Sequence, residues 1–157
     1  MTTASISIVA LISILQSSNS SSTNQSTTTQ GGTKLEGTKL QDFIPVANVP
    51  QLEIADLAVG TGAAVKAGDT ITVDYTGAIA ATGIIFQSSL DTGQSVTLSL
   101  NQVITGWGNG LVGMKVGGTR RLLIPADQAY GANPPSGSGI PANAPVVFDI
   151  TLHSIGQ

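Results

Sequence analysis

The sequence predicts an α+β domain, an antiparallel β-sheet of about five strands wrapped around one short α-helix. Apolar residues recur with a period of two in several short runs, and one ten-residue stretch switches to helical spacing. Gly-containing turn signals separate the runs. In order, Leu52 to Leu57 is a weak first strand. Ile71, Val73 and Tyr75 then alternate with Thr72, Asp74 and Thr76. Val96, Leu98 and Leu100 alternate with Thr97 and Ser99. Val103, Ile104, Trp107 and Leu111 follow at the spacing of one helix face. Gly106, Gly108 and Gly110 lie inside that face, each costing about 1 kcal/mol relative to Ala. Such a helix exists only because a sheet packs on it. Thr119 to Ile124 is a second weak strand. In the last, Val146, Phe148, Ile150 and Leu152 alternate with Val147, Asp149, Thr151 and His153. Each alternating run reads as half-buried, one face on a core and one in water. Turns are marked by Ala-Gly-Asp at 67–69, Thr-Gly at 82–83, Asp-Thr-Gly at 91–93 and Val-Gly-Gly at 116–118.

Three segments precede or make up this domain. Residues 1–15 include the apolar run Ala4 to Leu15, too short for a spanning helix but in the range of a signal-peptide core or an anchor remnant. No basic residue precedes it and no A-x-A-like site follows. Residues 16–50 read as a flexible linker and extended arm. The first charge in the chain is Lys34, and the Gln/Ser/Thr/Gly tract before it cannot bury enough apolar surface to offset its ordering entropy. Pro45 and Pro50 oppose a helix in the arm. Residues 51–157 are long enough for a core without staples. The expected location is extracytoplasmic, by export or tethering.

Composition removes several functions. Only 10% of the 157 residues are charged and the net charge is −3, which opposes a nucleic-acid surface. With no cysteine there is no disulfide, thiolate nucleophile or Cys-ligated zinc, and the redox compartment stays open. The single histidine, His153, lies on the polar face of the last strand and reads as solvated. Lys115, Arg120 and Arg121 read as an exposed turn and strand. The two arginines point to opposite faces, which leaves one of them able to meet a carboxylate. No acidic pair has a spacing that suggests acid/base work. No cofactor and no metal site are expected.

The ordered motifs are VDYTG (73–77), F-x-S-S (86–89), VITGWGNGL (103–111), MKVGGTRRLLIP (114–125), AYGA (129–132) and GIP…VVFDITL (139–152). Residues 51–155 thereby resemble the FKBP-type peptidyl-prolyl cis-trans isomerases. The resemblance implies rotation about X-Pro bonds in unfolded or exported polypeptides and inhibition by rapamycin-like macrolides. With no second copy of the motif set and no helical dimerisation segment before it, a single-domain monomer is expected. The resemblance also implies that the domain's five aromatics, Tyr75, Phe86, Trp107, Tyr130 and Phe148, line one shallow pocket. Each alone would read first as core; five together suit a ligand site. By matching positions, Trp107 is the floor and Tyr75, Phe86, Val103 and Phe148 are walls. The Ile104 N–H and the Tyr130 phenol donate to substrate carbonyls, and Ile140, at the end of loop 131–139, closes one side. Gln87 and Val96 also fall on substrate-binding positions, but depart from the family, which usually carries Asp and often a larger aromatic there. Thr92 stands where many members have Arg. The joint change at 87 and 92 suggests an ion pair replaced as a unit, with Gln87 beside the Tyr75 hydroxyl. These departures motivate an alternative, a catalytically weak module that binds Pro-containing partners. A surface adhesin, suggested by the Ser/Thr-rich stretch alone, fits the aromatics poorly.

Overall fold

A computed structural model describes residues 34–156, which form six strands and one α-helix. The predicted apolar segment and the linker as far as residue 33 lie outside the described residues. The strands are β1 (Glu53–Ala58), β2 (Thr70–Ile79), β3 (Ile85–Ser88), β4 (Val96–Ser99), β5 (Thr119–Ile124) and β6 (Val146–Gly156). They form one antiparallel sheet in the order β1-β5-β6-β2-β3, with β4 also paired to β2. The ten residues of β2 give one edge room for two partners in succession. Thr70–Val73 pair with β4, and Thr76–Ala78 with β3. Register shifts at Thr72/Val73 and Gly77/Ala78 mark bulges there; bulges sharpen twist and bend a sheet around what it covers.

The concave face covers the helix α1 (Thr105–Gly110). The core between them contains Ile71, Val73, Leu111, Leu122, Ile124, Ile150 and Leu152, each at most 1% exposed. Fully burying such a side chain contributes about 1.5–3 kcal/mol. The helix is shorter than the predicted Val103–Val112, because its glycines are there for proximity and not for helicity. A Cβ on Gly106 would lie 2.4 Å from Cγ2 of Ile124, and one on Gly110 would lie 2.7 Å from Cδ2 of Leu122. The chain can run this close to β5 only without side chains.

Several expectations need correction. The sheet has a sixth strand, β3, missed because its burial pattern does not alternate. Arg120 is not on an exposed strand; it is 8% exposed. Its Nε and Nη2 donate to Asp56 at 2.6 and 3.2 Å, and Nη1 to the carbonyls of Gly110 and Val112 at 2.9 and 3.3 Å. It thus ties edge strand β1 to the sheet and supplies, from β5, the cation that favours a helix C-terminus. Arg121 also pairs, through two bonds of 2.6 and 2.7 Å to Asp149. His153, exposed as expected, nevertheless lies 2.6 Å from Asp74.

The last correction concerns residues 34–50, which carry no helix but are bound to the sheet. Gly37 N–H donates to Ile85 O and Ile85 N–H to Thr38 O, both at 2.8 Å, and Leu40 N–H donates to Gly83 O at 2.8 Å. The arm therefore lies strand-like along the β3 edge. Leu40 packs with Ala78, Ile85 and Val147, flanked by Leu35, Phe43 and Leu123. This is why Val147, predicted to face water, is fully buried. Arg121 fastens the arm further, donating to the carbonyls of Asp42 and Gln41 at 2.6 and 3.0 Å with its guanidinium 5.6 Å from the Phe43 ring centre.

Candidate active site

Where α1 meets the open end of the concave face, the sheet leaves a pocket of about 190 Å³. Tyr75 comes from β2, Phe148 from β6, Val96 and Leu98 from β4, and Trp107 from the helix. Val103 and Ile104 line it from the segment before the helix, Tyr130 from beyond the 3-10 turn Ala126–Gln128, and Gln87 from β3. Trp107 is 5% exposed. Tyr75 meets its ring edge-on at 5.5 Å between centres and Phe148 at 5.2 Å, arrangements each worth about 0.5–1.5 kcal/mol beyond burial. The indole is therefore held from two sides. Its Nε1–H is buried without a protein acceptor among the described residues, a cost the site carries.

Eight of the ten predicted residues line this pocket: Tyr75, Gln87, Val96, Val103, Ile104, Trp107, Tyr130 and Phe148. The other two, Phe86 and Ile140, lie in an adjoining groove of about 340 Å³ with Pro135, Ser136, Gly137 and Ser138. Gln87 and Tyr130 line both spaces, which therefore adjoin. Phe86 still belongs to the aromatic set, edge-on to Tyr130 at 6.4 Å and to Phe148 at 5.7 Å. The Gly of VDYTG makes room for it: a Cβ on Gly77 would lie 2.6 Å from the Phe148 ring and 2.8 Å from that of Phe86. Two lining residues were missed. Leu98 shares a strand face with Val96, a signal present in the alternation. Glu36, in the groove, comes from the arm and gave no local signal.

Polar groups in the pocket are few. Burial raises the pKa of Tyr75, and burial followed by the neighbouring Tyr75 raises that of Tyr130; both phenols stay protonated, and able to donate, at neutral pH. The Ile104 carbonyl accepts from Trp107 and Gly108 N–H groups, and its own N–H has no acceptor among the described residues. The lining contains no carboxylate or imidazole. Gln87 and Thr92 are both exposed, and no hydrogen bond joins Gln87 to Tyr75. An ion pair replaced beside a dry pocket does not fit this geometry: a charge at 87 would remain in water.

A match to the family described as FKBP-type peptidyl-prolyl cis-trans isomerase spans residues 62–153. This chain belongs to that family. A probable FK506-binding protein of Corynebacterium glutamicum is 45% identical over 113 residues, 71% of this chain and 93% of the relative. FK506-binding protein 4 of Dictyostelium discoideum is 45% identical over 68% of the chain, which covers 29% of that longer protein. Among solved structures, a peptidyl-prolyl cis-trans isomerase from Pseudomonas syringae superposes with a TM-score of 0.61 at 36% identity, covering 68% of this chain and 76% of that one. FkpA from Escherichia coli gives 0.61 at 36% identity, over 66% of this chain and 47% of that one. The FKBP match begins beyond both β1 and the arm.

Proposed function

We propose that this FKBP domain rotates X-Pro bonds of unfolded polypeptides by seating the proline ring on Trp107. The observation that carries the reading is the indole floor, clamped by Tyr75 and Phe148 in a pocket whose lining has no carboxylate or imidazole. The uncatalysed barrier comes from amide resonance, ~18–20 kcal/mol for peptide bonds, and leaves exchange at tens to hundreds of seconds. In the twisted transition state resonance is lost and the carbonyl oxygen carries less charge. No bond breaks and no proton moves. Water stabilises the planar, more polar ground state, so an apolar pocket that fits the twisted geometry favours it by comparison. The Ile104 N–H and Tyr130 hydroxyl supply donors for carbonyls flanking the proline.

The test is a proline-limited refolding or X-Pro peptide assay with the full chain. Acceleration supports the isomerase. A rate equal to buffer from folded protein overturns it in favour of a module that binds Pro-containing segments, the reading suggested by Gln87 and Val96. Relatives named for binding FK506 support a second part of the proposal, that such macrolides compete for the same pocket. We also infer an extracytoplasmic location, supported by the apolar run Ala4 to Leu15 and the uncharged stretch to residue 33. Fractionation of cells expressing residues 34–157 tests it, unchanged partition removing the inference. Among the described residues no helix is long and apolar enough to cross a membrane.

A further inference from the structure

We propose that Glu36 is a specificity residue, selecting chains with a basic side chain next to the proline; this rests on the isomerase reading above. The groove adjoining the Trp107 pocket is lined by Phe86, Gln87, Tyr130, Ile140, the 135–138 loop and Glu36, and among these Glu36 alone is charged. A polypeptide whose proline occupies the pocket continues past Gln87 and Tyr130 into that groove. Its neighbouring side chain there meets aromatic and small polar groups and one carboxylate.

The main chain that carries Glu36 is held in place. Asp91, at the end of the 3-10 turn after β3, accepts from the N–H of Leu35 at 2.6 Å and of Glu36 at 3.1 Å. One residue on, Gly37 N–H is bonded to Ile85 O. Asp91 thus spends both carboxylate oxygens on the backbone, and the Glu36 side chain extends from a fixed main chain. The present partner of Glu36 is Lys34, 3.1 Å away, and the two side chains are 50% and 67% exposed. A pair so exposed contributes ~0–1 kcal/mol, so a substrate ammonium or guanidinium can replace it. Glu36 lies outside the family match at 62–153, and so adds a selectivity to a common pocket.

The experiment compares kcat/KM for two peptide series, with Lys, Leu or Glu placed before the proline in one and after it in the other. At low salt the wild type should favour Lys over Glu by about two- to five-fold in at least one series, the range of an exposed charge pair. Glu36→Gln should abolish that ratio and Glu36→Lys invert it. About 1 M salt, where the Debye length is about 3 Å, should also erase it. Asp91→Ala, which frees the arm at Leu35 and Glu36, should lower the ratio, and in that background Glu36→Gln should add little, a coupling read by a double-mutant cycle. A Lys/Glu ratio unchanged in Glu36→Gln, or additive effects of the two substitutions, overturns the proposal. Peptide titrations followed by Trp107 fluorescence give the same ratio as affinities. A chain without isomerase activity would then fail the function reading and leave the selectivity of Glu36 measured separately.

Discussion

Trp107 combines two roles that truncation would confuse. Trp107→Ala should cost about 3–5 kcal/mol of stability, as for other well-buried Trp side chains, so lost activity would partly report unfolding. Trp107→Leu keeps apolar volume under the pocket and removes the two edge-on contacts with Tyr75 and Phe148. It should lower kcat/KM by about tenfold, the rate equivalent of ~1.4 kcal/mol, with the fold intact by circular dichroism. An unchanged kcat/KM would make Trp107 core only. At this scale much of the pocket was legible, because five aromatics in a domain of Ala, Val, Ile and Leu are conspicuous and their motifs are ordered. What escaped was the depth of individual positions. Gln87 points to water and Arg120 away from it, and nothing local distinguishes an outward Gln from one beside a phenol. Glu36 escaped for another reason: its neighbours in the groove begin with Phe86, and no pattern along the chain joins an arm to a loop so far downstream.

The helix beneath the pocket is poor in propensity and held by its surroundings. Gly108 has only the Leu100 carbonyl near a would-be Cβ, at an ordinary 3.5 Å. Gly108→Ala should therefore stabilise the domain by up to about 1 kcal/mol, whereas Gly110→Ala, driven into Leu122, should destabilise it by about 1–3 kcal/mol. Chemical denaturation separates the two, and equal effects would mean that the helix yields to β5. Arg120 links this helix to β1. Its hydrogen bonds to Asp56, against a smaller effect of burial, hold that carboxyl below its usual pKa. A depressed folded pKa gives stability that is present above the unfolded value of about 3.9 and is lost as pH falls through the folded one. Asp56→Asn should therefore lower Tm by a few degrees at neutral pH, and the gap should close in acid below about pH 4; a gap independent of pH would show that Asp56 acts only as a hydrogen-bond acceptor. Strands with a clean period of two were readable as elements. The four-residue β3 was not, because its residues answer to the arm on one side and the pocket on the other.

For the whole molecule the arm sets where the folding unit starts. Leu40 and Val49 are 8% and 5% exposed, and burying each contributes about 1.5–3 kcal/mol. Removing residues 1–50 should therefore lower Tm by roughly 10 °C or more, while removing residues 1–33, uncharged and mostly polar, should leave Tm and isomerase rate nearly unchanged. Calorimetry on both truncations checks this, and equal Tm values would show that the arm adds nothing to the fold. The partners of the arm also lie far along the chain: Leu35 is bonded to a residue 56 positions later, and Gln41 to one 80 positions later. At about 5–20 residues per second, a ribosome needs about 4–16 s to add 80 residues. A nascent chain therefore carries the Gln41 and Asp42 carbonyls for seconds before Arg121 exists to receive them. A chain that stops short of Arg121 lacks the guanidinium that holds Gln41 and Asp42, so latching of that end of the arm marks a polypeptide made at least as far as β5.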